Sequence, residues 1–114
     1  MKQLFYKIVE IDDQGRIKSL YHGNEGSRVL KKNRWMKAQT KLVRDGSSAV
    51  WYSSGWHCLP SYRECKNYLK KFKILHNKRI ATCKVKNIWR KSHSRENVWL
   101  AKDLIIKEIL DERR

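Results

Sequence analysis

SYRECKNYLKKFK, residues 61–73, followed by IATCKVK, residues 80–86, decides the fold. Ser61-Tyr62-Arg63-Glu64 is a capping box. The serine hydroxyl accepts from the amide three residues on, and Glu64 reaches back to the cap. Tyr62, Cys65, Leu69 and Phe72 then recur at helical spacing, with Tyr68 beside them. Arg63, Lys66, Asn67, Lys70, Lys71 and Lys73 take the opposite face, and Asn77 is a helix stop. From Ile80 the period changes to two. Ala81, Cys83 and Val85 point inward and Thr82, Lys84 and Lys86 outward, a strand with a basic outer face.

Working outward, Leu4 to Ile11 alternates, with Phe5, Val9 and Ile11 on one side. Asp12-Asp13-Gln14-Gly15 is a tight turn, and Ile17, Leu20 and Tyr21 follow. Together they predict a hairpin. Residues 22–27 form a loop by composition and 45–48 a turn. Residues 28–39 read as a short helix, made ambiguous by Asn33 and Trp35. Residues 49–52 and 56–59 read as short strands, 90–95 as a basic loop, and 103–110 as a final strand or a helix, its isoleucines tipping the reading towards strand. The expected fold is α+β: one domain over residues 1–114, an antiparallel sheet with one dominant helix packed on it.

The chain has 27 Lys plus Arg against 11 Asp plus Glu, a net charge of +16 in 114 residues. From Arg28 to Arg44 there are seven basic residues and no acid, and from Arg63 to Arg95 twelve, with Glu64 the one acid. So strong a field repels itself in a compact domain and points to a polyanionic partner. Phosphates release counterions to Lys and Arg, so nucleic acid is the natural one. Five Trp, five Tyr and two Phe argue for a folded domain rather than a basic tail. No apolar run reaches membrane-span length, and the start, broken by Lys7 and Glu10, is no signal peptide. Cys58, Cys65 and Cys83 are an odd number without framework spacing. They fit free thiols in a reducing cytoplasm.

The expected nucleic-acid-binding residues are Arg63, Lys66, Lys70, Lys71, Lys73, Lys84, Lys86, Arg90, Lys91 and Arg95 on one face. Arg28, Lys31, Lys32, Arg34 and Lys37 form a second face or extend the first. Their role is phosphate neutralisation, which positions without reading sequence. Trp35 and Trp89 lie in the basic stretches with weak periodicity and are the aromatics expected at the surface, where bases stack. Rings interleaved with Lys and Arg favour RNA over DNA.

His57 has two readings: an acid–base group, ligand or phosphate contact, or a hydrogen bond within a strand-to-helix junction. A cationic surface near Cys58 would favour its thiolate, but no orienting third group is marked. His57, Cys58 and Cys65 lack the spacing of zinc modules. No catalytic residue, metal or cofactor is assigned.

Residues 52–59, Tyr-Ser-Ser-Gly-Trp-His-Cys-Leu, followed by Ser61 to Leu69 and by Lys84-Val85, resemble a pattern of small phage and prophage proteins. Those carry a Tyr-x-Ser-Gly-aromatic-His stretch, then a helix and a strand ending in a Lys-Val-like pair. Phe5 to Val9 and Asn97 to Ala101 also fit it. The resemblance brings no settled activity. It implies a viral or mobile-element origin, the host cytoplasm as location, and a role such as inhibiting a nucleic-acid-guided defence complex in an anti-CRISPR-like manner. In order, Leu20-Tyr21-His22-Gly23 and Gly55-Trp56-His57-Cys58 are also similar to the His-Gly and Gly-Tyr-Phe stretches of ADP-ribosyltransferases. That similarity implies an NAD-using enzyme with His22 on the cofactor's ribose and a late Glu, either Glu96 or Glu108. Here His57 replaces the tyrosine of the second motif.

Overall fold

The computed structural model describes residues 4–20, 29–38, 42–44, 51–91 and 94–110. In chain order the elements are β1 (Phe5–Ile11), β2 (Ile17–Lys18), β3 (Val29–Leu30), β4 (Met36–Lys37), β5 (Leu42–Arg44), β6 (Trp51–Ser53), β7 (Trp56–Cys58), α1 (Tyr62–Leu69), β8 (Lys78–Arg90) and β9 (Trp99–Leu110).

The predicted hairpin is present. Asp12 Oδ1 accepts from the amides of Gln14 and Arg16 at 3.0 and 2.8 Å, and Gly15 turns the chain at φ 78°. Glycine, with no Cβ, enters that region at no steric cost. Ile11 then pairs with Ile17, which sets the β1–β2 register.

The long hairpin β8–β9 is the spine of the molecule. It pairs from Ile80↔Leu110 to Arg90↔Trp99, with a register shift at Thr82/Cys83 that leaves Lys107 as the extra residue on β9. A bulge of this kind bends a strand and raises its twist. The sheet order is β3-β2-β1-β8-β9-β4, and β7 also pairs with β9. Beyond β7, Leu59 exchanges two backbone hydrogen bonds of 2.8 Å with Tyr6 in β1. The circuit β1, β8, β9, β7 therefore returns on itself. At the other margin, the Asn33 amide donates to the Ile106 carbonyl at 2.8 Å. The sheet rolls into a small, partly closed barrel that leaves few free edges. Among the described residues β5 and β6 pair only with each other, as a separate ribbon.

Rolling produces two cores. Inside lie Phe5, Val9, Leu30, Met36, Trp56, Cys58, Cys83, Leu104 and Ile106. Outside, under α1, lie Ile8, Leu59, Cys65, Ile80 and Val98. Alternation along β1 sends Phe5 and Val9 to the first and Ile8 to the second, so β1 is buried on both faces.

The fold is an antiparallel sheet with one helix, but the helix is not dominant. It spans eight residues, with Cys65 its one fully buried side chain, against thirteen and twelve residues in β8 and β9. The serine cap is in place: Glu64 N donates to Ser61 Oγ at 3.2 Å, and the Glu64 carboxylate reaches back to the Ser61 hydroxyl, which donates to Oε2 at 2.9 Å, rather than to the cap amide. The helix stops eight residues before Asn77. After Leu69 the amides of Lys71 and Phe72 turn to carbonyls three residues back, the tight closure that ends many helices. Lys70, Lys71 and Lys73 supply no acid to extend it.

Residues 28–39 hold no helix among the described positions. Val29–Leu30 and Met36–Lys37 are strands, and Asn33 between them sits at φ 62°, a conformation asparagine tolerates and a helix interior does not. The basic loop begins later than expected, because Arg90 still belongs to β8. The strand expected at 103–110 begins at Trp99. The loop 22–27, the turn 45–48 and residues 92–93 lie outside the described residues. No helix among the described residues is long and apolar enough to cross a membrane.

Candidate nucleic-acid interface

α1 and the segment entering β9 bring part of the expected basic face together. Glu64, one turn into the helix, accepts from Asn97 Nδ2 at 3.3 Å, and Asn97 Oδ1 in turn accepts from Arg90 Nε at 3.0 Å. Lys71 forms an ion pair with Glu96. These contacts hold Arg90 and the residues before Val98 against the helix. Arg63, Lys66, Lys70 and Lys73 stay exposed on it. Lys66 and Lys71 lie over the rings of Tyr62 and Tyr68, at 5.7 and 5.4 Å from the centroids. Surface pairs of this kind are each worth at most about 1 kcal/mol, so Glu64 and Glu96 place the patch more than they neutralise it.

A second patch lies where β4, β9 and β8 run side by side. Lys37 pairs with Asp103, and Asp103 with Lys86, in one row across three strands. Asn87, at φ 54°, donates to Asp103 Oδ2 at 2.9 Å. Trp35 is 41% exposed, and Lys86 Nζ stands 4.2 Å from its ring centroid, a cation–π contact. Lys31, Lys32, Arg34 and Lys37, its neighbours in sequence, are all exposed. A flat ring with cations beside it is what a base needs to stack on while its phosphates are neutralised.

Other expected residues fall elsewhere. Lys84 and Lys91 are half-buried. Trp89 is half-buried rather than exposed, because its ring edge packs over Gly55. A Cβ on Gly55 would meet the Ala101 carbonyl oxygen at 2.9 Å and Trp89 Cη2 at 3.1 Å. Arg28 and His22 lie outside the described residues. Arg95 is exposed beside Glu96.

His57 sits in β7, paired with Leu100, and its carbonyl accepts from Lys7 Nζ at 3.0 Å. Cys58 is buried, with Sγ 3.6 Å from the Trp99 carbonyl. Burial pushes its thiol up to about 12, against the opposing pull of the Lys7 charge. The thiolate expected from a cationic surface is therefore not favoured. Most of the charge lies on the outer surface, and the buried Lys7 cation nearby does not outweigh the burial of the sulfur. Burial likewise pushes the Cys83 thiol up. Among the described residues no three His, Cys, Asp or Glu side chains gather as a metal site.

Lys7 escaped the sequence reading. It is 6% exposed, on the inward face between Phe5 and Val9, with Nζ 5.7 Å from the Trp56 ring centroid. Its parity in the alternation was the signal. Comparison of the chain with protein-family models, with curated proteins and with solved structures finds no match.

Proposed function

We propose that this protein binds nucleic acid without catalysing a reaction on it. The observation that carries the reading is Trp35, exposed beneath Lys86 in a stretch whose Lys31, Lys32, Arg34 and Lys37 are exposed as well. The ring offers a stacking platform and the cations offer phosphate neutralisation. The helix patch of Arg63, Lys66, Lys70, Lys71 and Lys73 adds backbone contacts that are blind to sequence. Stacking on a ring suits unpaired bases, and RNA is the favoured strand. The phage-protein resemblance extends the proposal to a host nucleoprotein as the place where that strand is met.

The test is fluorescence anisotropy with labelled single- and double-stranded RNA and DNA over a salt series. The expected result is tightest binding to single-stranded RNA, with affinity falling steeply as salt rises. Trp35→Ala should weaken single-strand binding by about 1–3 kcal/mol, the range for one stacked base. Lys86→Glu should weaken it and flatten the salt dependence. Weak binding to all four nucleic acids at moderate salt would refute the proposal.

A further inference from the structure

A cavity of about 50 Å³, partly open to solvent, lies between β1, β7 and the end of α1, and Trp35 is not among the residues that line it. Its walls are apolar at Ile8, Leu20, Leu59 and Val98 and polar at Ser19 and Tyr68, with β7 beside them. Lys7 also lines it. The ammonium stands at the wall formed by Trp56 and His57 and donates one N–H to the His57 carbonyl. Among the described residues no carboxylate pairs with it.

A buried ammonium needs compensation, by a counter-charge or by hydrogen bonds for its remaining protons. The His57 carbonyl takes one of its protons, no carboxylate among the described residues faces it, and a chain of net charge +16 makes the local field worse. A bound anion would answer both needs. One cation with two remaining N–H groups suits a monoanion that accepts through two oxygens. The hydrocarbon walls suit an apolar tail. Size narrows the class further. About 10–15 Å³ holds a water, so this cavity takes a carboxylate with a short chain and not a nucleotide.

We propose that the cavity is a binding site for a small monocarboxylate with a short apolar tail, its carboxylate held by Lys7. The site is independent of nucleic-acid binding, and either reading stands if the other fails.

The probe is butyrate, with butyramide as its uncharged match, titrated into the full chain at constant ionic strength and followed by backbone amide NMR. Butyrate should give saturable shifts confined to Ile8, Ser19, Leu20, Gly55 and Val98. Butyramide should bind about tenfold more weakly or worse, the scale of one charge-assisted hydrogen bond. Lys7→Met should abolish the saturable response. If that variant does not fold, the comparison of butyrate with butyramide in the unaltered chain decides alone. No saturable shift with butyrate, equal affinity for the two probes, or shifts scattered over the basic surface would overturn the proposal.

Discussion

Lys7 stands two residues from Phe5 and two from Val9, and the alternation that buries those two carries an ammonium in with them. Burial lowers its pKa from 10.5, with the nearby cysteine groups opposing. The unfolded chain keeps the proton up to the ordinary lysine value, while the folded chain releases it earlier. Between the two values the unfolded state binds more protons, so stability rises with pH there. Below the folded value the burial penalty is present in full, and it fades towards 10.5. Lys7→Met should therefore raise stability near neutral pH by about 1 kcal/mol or more, because replacing a buried charge with a matched apolar group is often stabilising. The gain should shrink as pH climbs. Urea denaturation of both proteins at about pH 7 and about pH 10 measures this, and a gain that holds constant or grows would contradict it.

The helix is short, so its cap carries much of its stability. Ser61→Ala removes the acceptor for Glu64 N and should cost about 1 kcal/mol. Its effect should appear in amide exchange at Cys65 to Leu69 while β8 and β9 stay protected; equal loss of protection across the sheet would mean that the helix and the roll open together. The start of this element was legible because a cap is a local device: serine, then glutamate three residues on. Its end was not, since nothing in Lys70-Lys71-Phe72-Lys73 marks a stop, and the halt comes from tight closure after Leu69. The β1–β2 turn was legible for the same local reason, through Asp12 and Gly15. β3 and β4 were not, since two-residue strands have no period and their partners lie far along the chain. The interface divides in the same way. The basic stretches could be read directly, but the meeting of Trp35 with Lys86 is tertiary, and so is the packing of Trp89 over Gly55.

At the scale of the molecule, two cores sit back to back on β1, one inside the roll and one beneath the helix. The three buried thiols sample both: Cys58 and Cys83 inside, Cys65 beneath α1. Partial opening should reach the short helix before it reaches the roll. In mild denaturant, alkylation followed by mass spectrometry should modify Cys65 first, with Cys58 and Cys83 following together at a slower rate. Simultaneous modification of all three would mean one cooperative unit.

The closure of the roll also has a consequence for synthesis. β1 leaves the ribosome early, yet its long partner β8 begins only at Lys78, and the bridge from Leu59 to Tyr6 spans half the chain. Until those residues emerge, a strand that the fold buries on both faces has only its two-residue hairpin partner to shield it. Contacts so distant in sequence form slowly. From the synthesis of β1 until β8 emerges, its apolar side chains lack that partner, and repulsion between the basic stretches of neighbouring copies opposes association in that interval.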